Sequence, residues 1–397
     1  MFANYFRSID MKYKLTILSC LTMCVFASAT AFAKPESFMK EYVYEAGESD
    51  SKLTCRTIAL EQVKRLLLEE LGTYLISNTE VLNSQLTKDQ IVTYTSGVVM
   101  TVIIDEKWDG QKYALKAKIT ADPEDVAKAI NLLRTDRQRV EELQELQAQS
   151  KAALQEIYAL KKELAETKRN KKQQAQYLKS VNSLLSKELM EKGIDLSKRK
   201  KFNDAIKVFS DVLKYNPKYP RALFLRGWTY YELKEYGKAT SDFDLAINIM
   251  PTYLYPYTGK GWIAIDQKRY DEALEWFEKV ITLDSKFVRG YNGRGYCFLI
   301  KGVLEKAKSD FDKTIELDPN FDAGYINRGF YYYKTGEYQK SLDDYTKGLE
   351  IDPLRGKWYF GRGQVYRKMK NMEKANADFK KAADLGFAMA KNKLKIE

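Results

Sequence analysis

Histidine is absent from the 397 residues of this chain, and cysteine and proline are scarce, with four and eight copies. Without imidazole there is no His-ligated zinc site, no Ser-His-Asp or Cys-His nucleophile, and no histidine acid or base. The acids show no paired motif suited to catalysis by two carboxylates. We therefore expect a protein that is not an enzyme, with no catalytic residue, no bound metal and no cofactor.

The few cysteines do not form a disulfide framework. Two of them lie in the N-terminal segment that we expect to be removed, and the other two, Cys55 and Cys297, fall in different predicted units. Each is expected to be a buried, small apolar residue. The chain instead has 28 tyrosines and 18 phenylalanines. With so little proline, this composition favours helices that pack through aromatic rings.

Residues 1–33 have the pattern of a secretory signal peptide. Met11–Lys14 is basic, residues 15–32 are apolar and uncharged, and Ala31-Phe32-Ala33 is a small-x-small cleavage pattern. Cleavage there would start the mature chain at Lys34 and make the protein periplasmic or otherwise exported. Two alternatives remain: the apolar run anchors the protein in a membrane, or Cys20 carries a lipid.

The net charge is +12 at pH 7. Basic residues favour anionic surfaces or acidic partners, but acidic residues are interspersed along the whole chain, and we interpret most of the charge as solvated surface. A nucleic acid partner does not fit an exported protein, so none is expected.

Residues 34–122 are predicted to form a small α+β domain. Leu60, Val63, Leu67, Leu71 and Tyr74 lie on one face of a helix over residues 56–75. Two strands are expected to follow, one over residues 98–105 and one with alternating apolar residues over 113–119. Asp109-Gly110 between them predicts a hairpin turn.

This domain resembles the N-terminal domain of flagellar assembly protein T and related small surface lipoproteins. The resemblance lies in Ala59–Val63, Ser77–Val81, Thr87–Ile91 and a strand at Gly97. It implies a part of an assembly in the cell envelope, and it brings no catalytic residues.

Residues 123–185 are predicted to form a long helix or coiled coil. Asp122-Pro123-Glu124 is a helix start, and no glycine or proline follows until Gly193. An approximate heptad seam is formed by Leu143, Leu146, Ala153, Ile157, Leu160 and Leu164. The seam predicts a homo-oligomer; the alternative is a single solvated spacer helix. Lys168–Lys172 interrupts the seam. We interpret this basic segment as a solvated joint, and the less favoured alternative is a contact with membrane or peptidoglycan.

A repeat of 34 residues dominates the rest of the chain. The repeated glycines are Gly193, Gly227, Gly261, Gly295, Gly329 and Gly363; alanine or serine follows twelve residues later and phenylalanine or tyrosine sixteen later. Proline follows twenty-four residues later in four of the six cases. This is the tetratricopeptide (TPR) pattern, which implies an α-α superhelical solenoid of stacked helix pairs. We predict six TPR-like repeats over 186–389, the first degenerate, and a capping tail over 390–397.

The resemblance also implies a concave groove lined by the first helix of each pair. The residue after each glycine is Ile194, Trp228, Trp262, Tyr296, Phe330 and Gln364, with Tyr231, Leu299 and Tyr333 one turn later and Arg221, Arg289 and Lys357 near the edge. The predicted peptide-binding residues are Trp228, Trp262, Tyr296, Phe330, Tyr231, Tyr333, Arg221 and Arg289. The alternative is that these rings pack between helices. The family's carboxylate-clamp residues, Asn and Lys, are mostly missing here.

A second regular set consists of Arg226, Arg294, Arg328 and Arg362, directly before the repeat glycines. These arginines are predicted to pair with acids such as Asp242, Asp310, Asp343 or Asp344, and a basic stripe for an anionic ligand is the less favoured alternative. The chain as a whole is interpreted as a non-enzymatic scaffold or adaptor in the bacterial cell envelope, with a protein or peptide in the groove. The alternative function is binding of envelope glycan or peptidoglycan by the groove aromatics.

Overall fold

A computed structural model describes residues 35–78, 86–123, 125–127, 129–130, 137–166, 170–353 and 355–393. The predicted signal peptide and its alternatives lie outside these residues. The described part begins with a three-stranded sheet and continues almost entirely as helices. No described helix is both long enough and apolar enough to cross a membrane.

The N-terminal unit is an antiparallel sheet with helices on one face. Its elements are β1 (Glu36–Glu45), α1 (Lys52–Asn78), α2 (Lys88–Val98), β2 (Val102–Trp108) and β3 (Lys112–Ala121), with sheet order β1-β3-β2. Alternate β3 residues such as Leu115 and Ile119 are fully buried against α1. The predicted hairpin is present: the Asp109 carboxylate accepts hydrogen bonds from the amides of Gln111 and Lys112 at 2.8 and 2.6 Å. Strand β1 was not predicted.

The region around Gly97 differs from the prediction. Gly97 lies in helix α2, not in a strand, and β2 runs over Val102–Trp108, not over residues 98–105. The reason is a capping box, in which Thr87 accepts from the amide of Gln90 while the Gln90 side chain accepts from the amide of Thr87. The helix then buries Ile91. Part of the predicted Ser77–Val81 motif lies outside the described residues.

The predicted long helix is two helices that fold back on each other. They are α3 (Arg137–Glu166) and α4 (Lys171–Lys198), and Asn170 caps α4 by accepting from the amides of Lys172 and Gln173. Hydrogen bonds join Gln173 to Glu163 and Lys187 to Ser150, at 2.6 and 3.3 Å. The partner in α4 lies later in the chain when the partner in α3 lies earlier, which is the pairing of two antiparallel helices.

The predicted coiled-coil seam is buried inside this one chain. Ala153, Ile157 and Leu160 are at most 7% exposed and share a core with α1 and the sheet. The helix spacing had indicated an apolar stripe but not what covers it. Because the N-terminal unit covers it, these three seam residues are not available to a second copy, and the structure does not support the homo-oligomer proposed through them.

Helix α4 belongs to both halves of the molecule. Its start packs on the N-terminal unit, while its end carries Gly193 and is the first helix of repeat 1. Salt bridges fix α4 to α1: Lys187 to Glu61 at 2.7 Å and Lys64 to Glu191 at 2.5 Å. Burial by itself would raise the pKa of Glu61, but Lys187 and Lys64 outweigh it and hold that pKa below its usual value.

The repeats follow as helix pairs. Their helices are α5 (Phe202–Tyr215), α6 (Pro220–Glu232), α7 (Tyr236–Ile249), α8 (Leu254–Asp266), α9 (Tyr270–Leu283), α10 (Val288–Lys301), α11 (Leu304–Leu317), α12 (Asp322–Thr335), α13 (Tyr338–Ile351), α14 (Gly356–Lys368) and α15 (Met372–Asp384). A short α16 (Ala388–Lys393) closes the array, with Phe387 at 5.1 Å from Phe360 between ring centroids. Residues 394–397 of the predicted capping tail lie outside the described residues.

Three of the repeated aromatic rings, Phe243, Phe277 and Tyr345, are each wedged between two glycines, and the other three each face one. Phe277 is fully buried, and a Cβ atom would lie 2.7 Å from its ring at Gly261 and 2.2 Å at Gly293 in the next repeat. The second contact explains the Gly-x-Gly sequences of the array. In Gly259-Lys260-Gly261, each glycine faces the phenylalanine of a different repeat, so the sequence serves helix packing and not phosphate binding.

Candidate binding groove

The first helices of the repeats carry one row of aromatic residues. Trp228, Trp262, Tyr296 and Phe330 occupy equivalent positions on α6, α8, α10 and α12, and all four are half-buried. Each ring is partly covered by its neighbours in the array and partly exposed to solvent. The two sequence interpretations, an exposed row and rings packed between helices, therefore each describe part of the same side chain.

The row is divided into ring pairs. Trp228 lies 4.9 Å from Tyr231 on the same helix, and Phe330 lies 6.4 Å from Tyr333 in a stacked arrangement. Trp262 contacts Tyr296 of the next repeat at 5.5 Å. Such contacts hold the rings in place before anything binds, which reduces the entropy lost on binding.

A second aromatic row was missed in the sequence. Tyr255 is its centre, with ring centroids 5.4 Å from Phe224, 5.5 Å from Tyr253 and 5.3 Å from Phe287. The signal was present, because the residue before each first helix is Tyr219, Tyr253, Phe287 and Phe321, again 34 apart.

The two predicted edge arginines have different surroundings. Arg289 lies over the rings of Tyr255 and Phe321, with its guanidinium carbon 5.6 and 5.1 Å from their centroids. Arg221 is only 9% exposed, so it is not the exposed edge residue that was predicted. It lines a cleft beside repeat 1.

Asp322 adds an acid beside the second row. Burial raises the pKa of its carboxyl, and the positive charges of Arg355 and Arg289 oppose that rise. Desolvation therefore outweighs the two arginines at this carboxyl.

The arginine ladder is structural, as predicted. Arg226, Arg294, Arg328 and Arg362 each bind an aspartate sixteen residues later through two guanidinium nitrogens, at 2.7–2.9 Å. The aspartates are Asp242, Asp310, Asp344 and Asp378; Asp343 is not among them and accepts from Gln339 instead. Repeat 3 has no such pair, and there Lys260 lies over Trp276 at 4.0 Å. These cations are used inside the array, which leaves no basic stripe along this row.

These features define a helical-repeat solenoid whose first helices carry a row of partly exposed aromatic rings. Models of the tetratricopeptide repeat family match residues 190–252, 255–287, 288–321, 323–353 and 357–385. Residues 190–385 are therefore an array of tetratricopeptide repeats, and its first, degenerate repeat is included. The matches begin at residue 190, so the resemblance of residues 34–122 to the flagellar assembly domain stays a prediction.

Several solved structures are similar in fold. A tetratricopeptide repeat protein from Parabacteroides merdae ATCC 43184 is 21% identical, with 62% of this chain and 98% of that chain covered and a TM-score of 0.46. PilW, described as a type IV pilus biogenesis factor, is 18% identical, with 49% and 90% covered and a TM-score of 0.41. YrrB, described as having an unusual peptide-binding site, is 20% identical, with 47% and 97% covered and a TM-score of 0.31. A search of curated proteins found no match.

Tetratricopeptide repeat proteins generally mediate protein–protein interaction, and the fold is typically a non-catalytic scaffold. The fold does not by itself identify the partner.

Proposed function

We propose that the concave face binds an extended segment of a partner protein through the two aromatic rows. The observation that carries the proposal is the half-exposed state of Trp228, Trp262, Tyr296 and Phe330 on successive helices. Aromatic residues that are packed on one side and open on the other dominate the energetics of peptide grooves. The partner segment would place apolar or aromatic side chains against them at the spacing of the repeats.

The charges along the proposed groove favour one orientation of a bound segment. The equivalent residues five after the repeat glycines are Glu232 and Asp266 in repeats 2 and 3, and Lys334 and Lys368 in repeats 5 and 6, all exposed. A segment with basic residues toward repeats 2 and 3 and acidic residues toward repeats 5 and 6 would complement this arrangement. The opposite orientation would place like charges together.

The test is selection of peptides from a random displayed library of about twelve residues, an extended length suited to several repeats. We expect selected peptides to bind the protein and to lose at least about tenfold in affinity on Trp228→Leu plus Trp262→Leu, since groove aromatics are typical hot spots. Leucine keeps the apolar packing and removes the exposed ring. Trp276→Leu is the matched control, because Trp276 lies outside the row.

Two results would contradict the proposal. One is a library that yields no binder; the other is affinity unchanged by the double substitution. If isolated cell-wall glycan bound instead and were lost with the same two tryptophans, the glycan interpretation of the sequence would replace the peptide one.

We also propose that the protein works in the cell envelope after export. The support is the basic, apolar and Ala31-Phe32-Ala33 succession in the first 33 residues. Cell fractionation followed by N-terminal sequencing is the test. A mature chain starting at Lys34 is expected, and a cytosolic protein with an intact N-terminus would contradict export.

A further inference from the structure

The N-terminal unit lies beside repeat 1, at one end of the array. A cleft of about 300 Å³ lies between repeat 1 and that unit. The wall of the cleft that repeat 1 forms includes Ile194 and Met190. In the repeat pattern Ile194 is equivalent to Trp228, and Met190 is equivalent to Phe224. Arg221 from repeat 2 lines it as well. The two aromatic rows thus continue into the cleft as aliphatic side chains.

The opposite wall comes from outside the repeats. It is formed by Leu60 of α1 and by residues 96–101 at the end of α2 and the loop before β2. Met100 in this loop is 50% exposed. Since the salt bridges of Lys64 and Lys187 fix α1 to α4, this wall is held against repeat 1. The volume is at the small end of the range of protein pockets and suits one large apolar side chain.

The charges of the cleft favour an acidic group beside that side chain. All three of its acids, Glu188, Glu191 and Asp195, form ion pairs within the chain, at 2.8, 2.5 and 2.9 Å. Two of its lysines, Lys192 and Lys198, are exposed and form no ion pair with a described residue. The positive charge available to a ligand therefore exceeds the negative charge.

Two buried polar atoms in the cleft also have no partner among the described residues. They are Nε2 of Gln147, a donor, and Oε2 of Glu188, an acceptor. Buried polar groups normally form hydrogen bonds. Both atoms are almost completely covered by protein, so they mark an imperfectly hydrogen-bonded part of the wall and are not themselves ligand contacts.

We propose that this cleft is a terminal subsite of the groove, which receives an apolar residue with an adjacent Asp or Glu from the partner polypeptide. The proposal rests on the proposed function, since it assumes a peptide in the groove. It adds that residues outside the repeats, with Met100 as their exposed contact, set the specificity at this end.

The experiment is a double-mutant cycle with amidated peptides, so that no terminal carboxylate is present. The probe is a peptide selected on the wild-type protein, compared with the same peptide whose apolar-acidic end is replaced by Gly-Ser. On Met100→Glu we expect the selected peptide to bind at least about tenfold more weakly, and the Gly-Ser peptide to bind as it does to wild type. Met39→Glu is the matched control, because Met39 is a methionine of similar exposure, 54%, on β1.

The outcomes separate the two proposals. If Met100→Glu weakens both peptides equally or neither of them, while Trp228→Leu plus Trp262→Leu still abolishes binding, the subsite is refuted and the groove stands. If selected peptides carry no apolar-acidic end at all, the subsite is likewise refuted. If no peptide is selected, both proposals fall. Circular dichroism of each variant checks that it is folded.

Discussion

An alanine at position 293 adds a single methyl group at the tightest contact between repeats. The new Cβ would lie 2.2 Å from Cε1 and 2.5 Å from Cζ of Phe277, a fully buried ring. Favourable carbon–carbon contacts lie at about 3.5–4.0 Å, so the two helices must separate by more than an ångström or the ring must leave its site. Neither movement is possible without opening the interface between repeats 3 and 4.

The expected loss of stability can be estimated from two opposing effects. Overpacking of this kind costs about 3 kcal/mol, while replacing glycine by alanine in a helix gains about 1 kcal/mol. We expect Gly293→Ala to lower the free energy of unfolding by about 2 kcal/mol. With a urea m-value of about 2 kcal/mol/M, the unfolding midpoint would fall by about 1 M.

Gly237→Ala is the matched control. Gly237 is also a helical glycine, in α7, but a Cβ there would meet nothing within 4 Å. The free energy of unfolding of the Gly237→Ala variant is expected to be unchanged or to rise by up to about 1 kcal/mol. Urea unfolding followed by far-ultraviolet circular dichroism measures both variants. The packing argument is refuted if Gly293→Ala is as stable as wild type, or if Gly237→Ala loses as much as Gly293→Ala.

Three further predictions concern buried charges and thiols. Because the pKa of Glu61 is lowered in the folded protein, its charge stabilises the fold above the usual pKa of 4.5, and that stabilisation is lost as the pH falls through the folded-state pKa. Glu61→Gln is therefore expected to lower the free energy of unfolding by about 3 kcal/mol at pH 7, and the stabilities of the variant and wild type, measured by urea unfolding, should converge toward pH 3. A difference in stability that does not change with pH would contradict this. Burial raises the pKa of Cys55 and of Cys297 to about 11. Neither thiol should therefore react with a disulfide reagent at pH 8 until the protein is unfolded, and rapid labelling of the folded protein would contradict this. Arg328 donates two hydrogen bonds to Asp344 and one to Asp312, and Arg328→Lys keeps the charge but loses this geometry, so a loss of about 1 kcal/mol in the free energy of unfolding is expected. Arg199→Lys, at the exposed C-cap of α4, is expected to cause no measurable loss, and equal losses in the two variants would refute the prediction.

Local signals in the sequence were sufficient for some elements and were misread for others. Asp109-Gly110 predicted the hairpin because the turn depends on neighbouring residues alone. Gly97 was placed in a strand although Thr87 and Gln90 form a capping box, which marks a helix start a few residues earlier. The apolar content of residues 98–105 outweighed that signal. A β-branched apolar run does not distinguish the end of a buried helix from a strand.

The repeat period predicted some of the candidate groove residues but not their surroundings. The period of 34 residues identified Trp228 and its equivalents, because equivalent positions in a solenoid share their surroundings. It could not show that Arg221 is buried, since the residues that line the same cleft come from the N-terminal unit, more than a hundred positions earlier. In the second aromatic row, Tyr219, Tyr253, Phe287 and Phe321 obey the same period and could have been found, whereas Tyr255 and Phe224 do not recur at it.

The sequence by itself determined the repeat array, including its helix pairs, the wedged rings and the arginine ladder. Each of these contacts joins residues within one repeat or the next, so the pattern of one repeat contains the information for its packing. Only the tertiary structure decided what covers the apolar seam of α3, how α4 joins the two halves, and that a cleft lies between repeat 1 and the N-terminal unit. Those contacts join residues such as Glu61 and Lys187, whose burial depends on the position of whole elements and not on any local spacing.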